Sequence, residues 1–82
     1  VNSRNLVVGN TGPDVKFFQK ALNDIAMQGL LLDGHYFTET KRAVANFQRF
    51  FKKTSDGKVM IEDGKLGAIT QQGIFEILLK VS

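Results

Sequence analysis

Three segments of the chain carry apolar residues at intervals of three and four positions, the spacing of a helix with one buried face. This spacing predicts helices over residues 13–28, 39–52 and 67–81. The positions that we expect to face the core are Val15, Phe18, Leu22 and Ile25 in the first helix, Ala43, Val44, Phe47, Phe50 and Phe51 in the second, and Ile69, Ile74, Ile77, Leu78 and Val81 in the third. The pattern therefore predicts an all-α fold, a three-helix bundle.

The residues at the expected helix ends agree with this pattern. Thr11 can cap the first helix, Pro13 is tolerated in its first turn, and Asp14 lies near the positive end of the helix dipole. Gly29 suits the end of that helix, and Thr38 can cap the second.

Short apolar runs separate the helices. Residues 30–32 are too few for a helix, so we expect them to be extended. Asp56-Gly57, followed by residues 59–61, predicts a short β-hairpin before the last helix.

Two Asp-Gly turns begin segments that align without a gap. A large apolar residue, Tyr36 or Leu66, comes two residues after each Gly, and a threonine comes seven residues after each Asp. Asp can accept hydrogen bonds from its own turn, Gly adopts a positive φ, and the Thr hydroxyl can bond the backbone early in a helix. We therefore expect a structural role for Asp33, Gly34, Thr40, Asp63, Gly64, Gly67 and Thr70.

Two small residues follow these threonines at equal distance. Ala43 and Gly73 are expected to leave a gap in which another helix packs closely, since Gly in mid-helix costs about 1 kcal/mol relative to Ala.

Length and charge narrow the class of protein. The 82 residues suffice for one domain, and basic residues between positions 41 and 58 contribute most to the net charge of +3. Such a face attracts anionic polymers, or it is simply solvated.

No stretch approaches the roughly 18 apolar residues of a membrane span. Since the chain begins with Val1, we expect it to be a piece of a longer protein.

The sequence predicts no catalytic site. His35 is the only histidine and there is no cysteine, which excludes a His/Cys metal site and a Cys–His dyad. A Ser–His–Asp triad would have to join His35 to serines in loops or termini. The carboxylates that could form a glycosidase pair lie in turns or at helix starts, where capping explains them. We expect no catalytic residue, no metal and no cofactor.

Four blocks of sequence follow one another in a recognisable order. They are Leu6-x-x-Gly9-x-x-Gly12-x-Asp14-Val15, Phe18-Gln19-x-x-Leu22, Asp33-Gly-x-Tyr36-x-x-x-Thr40-x-x-Ala43-Val44-x-x-Phe47-Gln48, and Asp63-Gly-x-Leu-Gly67-x-x-Thr70. Together they resemble the peptidoglycan-binding-like domain of bacterial and phage cell-wall proteins, over residues 6–79. Three features depart from the family pattern: Phe37 stands where Gly is usual, Gly73 replaces Ala, and residues 51–62 are longer and more basic.

The resemblance implies a bundle of three helices with a non-catalytic role. Domains of this family typically hold a wall-degrading or wall-modifying enzyme, such as a phage endolysin, on peptidoglycan. We therefore expect peptidoglycan and an attached catalytic domain as partners, no nucleic acid and no membrane span, and a monomer. The expected location is the cell wall, the periplasm or the outside of the cell.

Peptidoglycan offers sugar rings and short peptides with free carboxylates, so its binding surface needs aromatic faces, cations and small polar groups. The candidate ligand-binding residues are His35, Tyr36, Phe37, Lys41 and Arg42 at the first turn, and Asp63, Lys65 and Gln71 at the second. We expect one shallow groove where both turns and the starts of the second and third helices meet. For Tyr36 and Phe37 the alternative is core packing, and for His35 it is incidental exposure.

Two other functions fit the same sequence. The basic residues of the second helix could contact the phosphates of a nucleic acid, although the third helix carries only Lys80 near its end. The fold could also serve as a protein-interaction or regulatory domain. An exposed apolar patch around Phe37 or Phe50-Phe51 would favour that function.

Overall fold

The computed structural model describes residues 4–81, and side chains as far as residue 80. It contains three helices of 14 residues each: α1 (Pro13–Ala26), α2 (Thr38–Phe51) and α3 (Ala68–Val81). α1 packs against both α2 and α3. Residues 4–81 contain isolated β-bridges but no strand. The prediction of an all-α three-helix bundle is confirmed.

The helix ends differ from the expected ones because backbone geometry, not side-chain capping, sets them. α1 follows Gly12, whose φ is 143°, and α2 follows Phe37, and neither helix start has a side-chain cap. The expectations that Thr11 and Thr38 act as caps were wrong. α1 ends at Met27, which adopts the left-handed conformation with φ 53°. The Met27 N–H donates to the Asn23 carbonyl oxygen. Gly29 therefore lies beyond the end of the helix rather than at it.

The core is one cluster to which all three helices and the loops contribute. Its buried apolar members are Leu6, Val15, Phe18, Ala21, Leu22, Tyr36, Ala43, Val44, Phe47, Met60, Leu66 and Ile74. Two residues expected inside are outside: Phe50 is 81% exposed and Ile69 is 38% exposed. Each lies about 100° around its helix from an inward neighbour, Phe51 or Thr70. The side chain expected inward at position 81 lies outside the described part of the chain.

The segment before α1 pairs with both Asp-Gly turns. Leu6 exchanges two backbone hydrogen bonds with Leu66, at N–O distances of 3.0 and 2.9 Å. Further along, Gly9 N–H donates to the Tyr36 carbonyl and Tyr36 N–H to the Asn10 carbonyl. This segment therefore connects two parts of the chain that the sequence presents only as separate repeats.

Within the loop between α2 and α3, one isolated bridge joins Lys53 to Val59 at the place where a hairpin was expected. Residues 59–61 do not form a strand. Met60 is buried, and a Cβ added to Gly73 would lie 2.9 Å from the Met60 sulfur. The gap left by Gly73 is therefore filled by a loop methionine, not by a second helix as expected.

Candidate functional site

A buried glutamine of α1 organises the first Asp-Gly turn. The side-chain amide nitrogen of Gln19 lies 3.1 Å from Asp33 Oδ1, 3.0 Å from the His35 carbonyl oxygen and 3.1 Å from Thr40 Oγ1. The amide oxygen of Gln19 accepts the Gly34 N–H at 2.9 Å. Because Gln19 is 1% exposed, these bonds form away from water and hold the turn against the start of α2.

Gln48 of α2 makes the same set of contacts with the second turn. Its amide nitrogen lies 3.0 Å from each of three oxygens, those of the Asp63 carboxylate, the Lys65 carbonyl and the Thr70 hydroxyl. Its amide oxygen accepts the Gly64 N–H at 2.9 Å. The internal repeat of the sequence therefore corresponds to a repeated hydrogen-bond network.

No role was predicted for these two glutamines, although the sequence carries a signal for one. Each lies four positions after a core valine, Val15 or Val44, and so on the buried side of its helix. A polar residue at such a position needs buried partners, which the Asp-Gly turns supply.

Asp33 and Asp63 face their own turns. Asp33 Oδ1 accepts the His35 N–H and Asp63 Oδ1 accepts the Lys65 N–H, both at 2.9 Å. For Asp33, the hydrogen bond from the His35 N–H, with that from Gln19, lowers the pKa of the carboxyl below its ordinary value. These contacts position the turn residues that follow.

The first groove lies beside the first turn and the start of α2, with a cavity volume of about 310 Å³. At its mouth the His35 and Phe37 rings are stacked, with centroids 5.5 Å apart and planes 10° from parallel. Phe37 is 57% exposed and His35 is exposed as well, so this aromatic pair is open to solvent. The residues that line the first groove are Gln19, Leu30, Leu31, Asp33, His35, Phe37, Thr38, Glu39 and Thr40.

The second groove lies beside the second turn and the start of α3, with a cavity volume of about 480 Å³. Its lining residues are Asn5, Val7, Gln48, Val59, Met60, Ile61, Asp63, Lys65, Gly67, Ala68, Ile69 and Thr70. No residue of the first turn is among them. The single groove expected where the two turns meet is thus replaced by one groove at each turn.

The first groove continues along α2. Next to the first groove lies a cavity lined by Arg42, and Leu30 and Glu39 line both of them. Beyond this cavity lies an apolar cleft lined by Phe50, and Asn46 lines both the cavity and the cleft. The three together form a trough that follows α2, whose 14 residues span about 21 Å. An extended chain of several sugars or amino acids matches this length.

Three basic residues near the turns are free to meet an anion. Within the described chain, no carboxylate lies within salt-bridge distance of Lys41, Arg42 or Lys65. By contrast, Arg49 forms a salt bridge of 2.9 Å with Glu62 and Lys58 one of 3.6 Å with Asp56, so two cations of the basic stretch already have a carboxylate partner.

The structure separates the eight candidate ligand-binding residues into two groups. Tyr36 is fully buried and Gln71 is 3% exposed, its amide donating to the Arg4 and Leu66 carbonyls. Both side chains are turned into the protein, where each donates hydrogen bonds to backbone carbonyl oxygens. The exposed residues are His35, Phe37, Lys41, Arg42, Asp63 and Lys65.

Comparison with known families identifies the family of this chain. Residues 11–59 match the model of the family described as "Putative peptidoglycan binding domain". This match covers more than half of the chain. The chain belongs to this peptidoglycan-binding domain family. The resemblance seen in the sequence is thereby confirmed, and membership supports a role in cell-wall binding. The match includes the first groove of the peptidoglycan-binding domain and ends before its second Asp-Gly turn.

Neither the curated proteins nor the solved structures compared with this peptidoglycan-binding domain gave a match. Among its described residues, no helix is long and apolar enough to cross a membrane. Over residues 4–81 there is also no group of three or more His, Asp or Glu side chains placed to hold a metal ion.

Proposed function

We propose that this domain binds peptidoglycan in the first groove and along the trough, and that it anchors an attached wall-degrading or wall-modifying enzyme. The observation that carries the proposal is the stacked and exposed His35–Phe37 pair at the mouth of the groove. A flat aromatic face suits the apolar C–H face of a sugar ring, which loses water contact when the two stack.

Charged groups beyond the aromatic pair suit the peptide part of the same polymer. Arg42 can form two parallel hydrogen bonds with a carboxylate, and Glu39 can accept from an amine. Both are exposed, and they line adjoining parts of the trough. Sugar and peptide groups of one strand can therefore be held together.

An open surface of this kind binds each unit weakly. The ligand is repeated along the polymer, so a domain that leaves one unit finds another close by. This high effective concentration offsets the weak affinity for each unit. A non-catalytic domain with these properties increases the residence of an attached enzyme on its substrate, and this is the role that we propose.

The test is sedimentation of the folded domain with purified cell-wall sacculi. Phe37→Ala and Arg42→Ala are expected to leave most of the protein in the supernatant, and the double variant to abolish sedimentation. Phe17→Ala is the matched control, because Phe17 is 47% exposed but contacts Phe18 and Phe75 instead of lining a groove. If the wild type does not sediment, wall binding is disproved; if both groove variants sediment fully, only the site is disproved.

One observation favours a second function, protein interaction. Met27 and Phe50, 89% and 81% exposed, border the apolar cleft at the far end of the trough, whose volume is about 410 Å³. Apolar surface of this kind marks contact sites on many proteins. A Phe50→Ser variant that sediments normally but loses its non-covalent contact with the neighbouring domain of the same protein would support this function.

A further inference from the structure

We infer that the second groove is a second ligand site, a diverged copy of the first, and that it takes a short peptide with a free carboxylate. The inference rests on the proposed function, because such peptides are part of peptidoglycan. It adds a separate site, with a chemistry different from that of the aromatic pair.

The two grooves are built from equivalent positions. Each of the nine residues that line the first groove has a counterpart in the second, 30 positions later in the chain, or 29 for the glutamine. The glutamine networks hold both turns in the same way, with Gln19 and Gln48 each reaching an Asp carboxylate, a backbone carbonyl and a Thr hydroxyl. The backbone that shapes one groove is therefore repeated in the other.

The side chains at the mouths of the two grooves have diverged. Where the first groove has His35, Phe37 and Glu39, the second has Lys65, Gly67 and Ile69. The aromatic face is lost and a carboxylate is replaced by an apolar side chain. A cation takes the place of His35. The second groove therefore favours an anionic ligand group, whereas the first favours a sugar ring.

The carboxylate of Asp63 does not cancel the Lys65 charge through a salt bridge. Its Oδ1 accepts the Lys65 backbone N–H and the Gln48 amide, while the Lys65 ammonium lies beyond 4.0 Å from every described carboxylate oxygen. Lys65 is exposed, so its ammonium is available to a carboxylate of the ligand.

Four exposed apolar side chains form part of the remaining wall of the second groove, beside polar ones. Val7 from the N-terminal segment, Val59 and Ile61 from the loop, and Ile69 from α3 line one cavity. Apolar residues that surround a single cation complement a peptide with small apolar side chains and a free carboxylate. The volume of about 480 Å³ is in the range of small-ligand sites.

Gly67 keeps this groove open. A Cβ at this position meets no atom within 4 Å, and its φ is not in the left-handed region, so a side chain is tolerated there. The equivalent Phe37 shows that the fold accepts a phenylalanine immediately before a helix. Gly67→Phe therefore adds a bulky ring at the mouth of the second groove without disturbing the core.

The experiment is a titration followed by amide chemical shifts. The probes are a synthetic stem peptide of alanine, glutamate and a diamino acid with free carboxylates, and the same peptide fully amidated. We expect the free peptide to shift the amides of residues 61–70, and the amidated one to bind about tenfold more weakly, since a charge-assisted bond is lost. Lys65→Gln should weaken binding of the free peptide to the same extent, and Gly67→Phe should abolish it. Lys80→Gln is the control for the change in net charge.

Three results would overturn the inference: no binding of the free peptide, equal binding of both peptides, or shifts confined to residues 30–42. Sedimentation with sacculi, measured on the same samples, reports on the proposed function independently. Variants that still sediment but bind no peptide would disprove the second site and leave wall binding intact. Peptide binding without sedimentation would disprove wall binding and retain the site.

Discussion

The Tyr36 hydroxyl donates a hydrogen bond to the Gly64 carbonyl oxygen and so joins the first Asp-Gly turn to the second, 28 positions further along the chain. Both groups are buried, and burial raises the pKa of Tyr36 far above its ordinary value. The aromatic ring that we expected in the ligand groove is therefore a link between the two repeats.

Removal of this link should destabilise the domain and leave its surface unchanged. Tyr36→Phe is expected to lower the free energy of unfolding by about 1–2 kcal/mol, because the Gly64 carbonyl loses its buried partner. Urea denaturation followed by circular dichroism measures the loss. Sedimentation of the folded variant with sacculi should equal that of the wild type, and a loss of sedimentation would show that Tyr36 contacts the ligand.

The buried glutamines should contribute more to stability than their side-chain type suggests. Gln48→Ala leaves the Gly64 N–H without its partner and removes the donor shared by the Asp63 carboxylate and the Lys65 carbonyl, so we expect a loss of about 3 kcal/mol. Gln72→Ala, in the half-buried part of α3, is the control and should cost about 0.5 kcal/mol or less. Equal losses in the two variants would contradict the network as the cause.

Two glycines close to each other in the chain should respond differently to substitution. Gly64 has φ 72°, and a Cβ there would lie 2.6 Å from Lys41 Cγ and 3.1 Å from the Lys41 carbonyl oxygen. We expect Gly64→Ala to cost about 1–3 kcal/mol, because both backbone conformation and space oppose it. Gly67→Ser, in open space before α3, should change the free energy of unfolding by about 0.5 kcal/mol or less. Thermal denaturation of the two variants tests this contrast.

Acid should weaken the first turn. The pKa of Asp33 is lower in the folded chain than its ordinary value of 3.8, because the His35 N–H and the Gln19 amide bond its ionised form. A lowered folded-state pKa means that this stabilisation is present above the unfolded pKa and is lost as the pH falls through the folded one. We expect the melting temperature to decline below about pH 4, and to decline less in Asp33→Asn. The same slope in both proteins would show that Asp33 is not a cause.

Most of the helical fold was predictable from the sequence. The spacing of Val15, Phe18 and Leu22 identified the inner face of α1, because the 3.6-residue period is a local property. Phe50 and Ile69 were misplaced for the same reason: an apolar residue beside the buried stripe satisfies the pattern even when it points to solvent. The caps were wrong because the turns before α1 and α2 are held by long-range backbone hydrogen bonds, which periodicity does not show.

The sequence by itself determined that the chain forms three amphipathic helices and that two Asp-Gly turns repeat, since helical period and turn chemistry depend on neighbouring residues. Only the tertiary structure decided what those turns do. Gln48 reaches Asp63, Gln71 reaches the carbonyl of Arg4, and Leu6 pairs with Leu66, across separations of 15, 67 and 60 positions. These contacts bury Tyr36, leave Phe37 and Lys65 exposed, and make two grooves where we expected one. Such outcomes depend on which distant groups satisfy one another's hydrogen bonds, and a one-dimensional pattern does not contain that information.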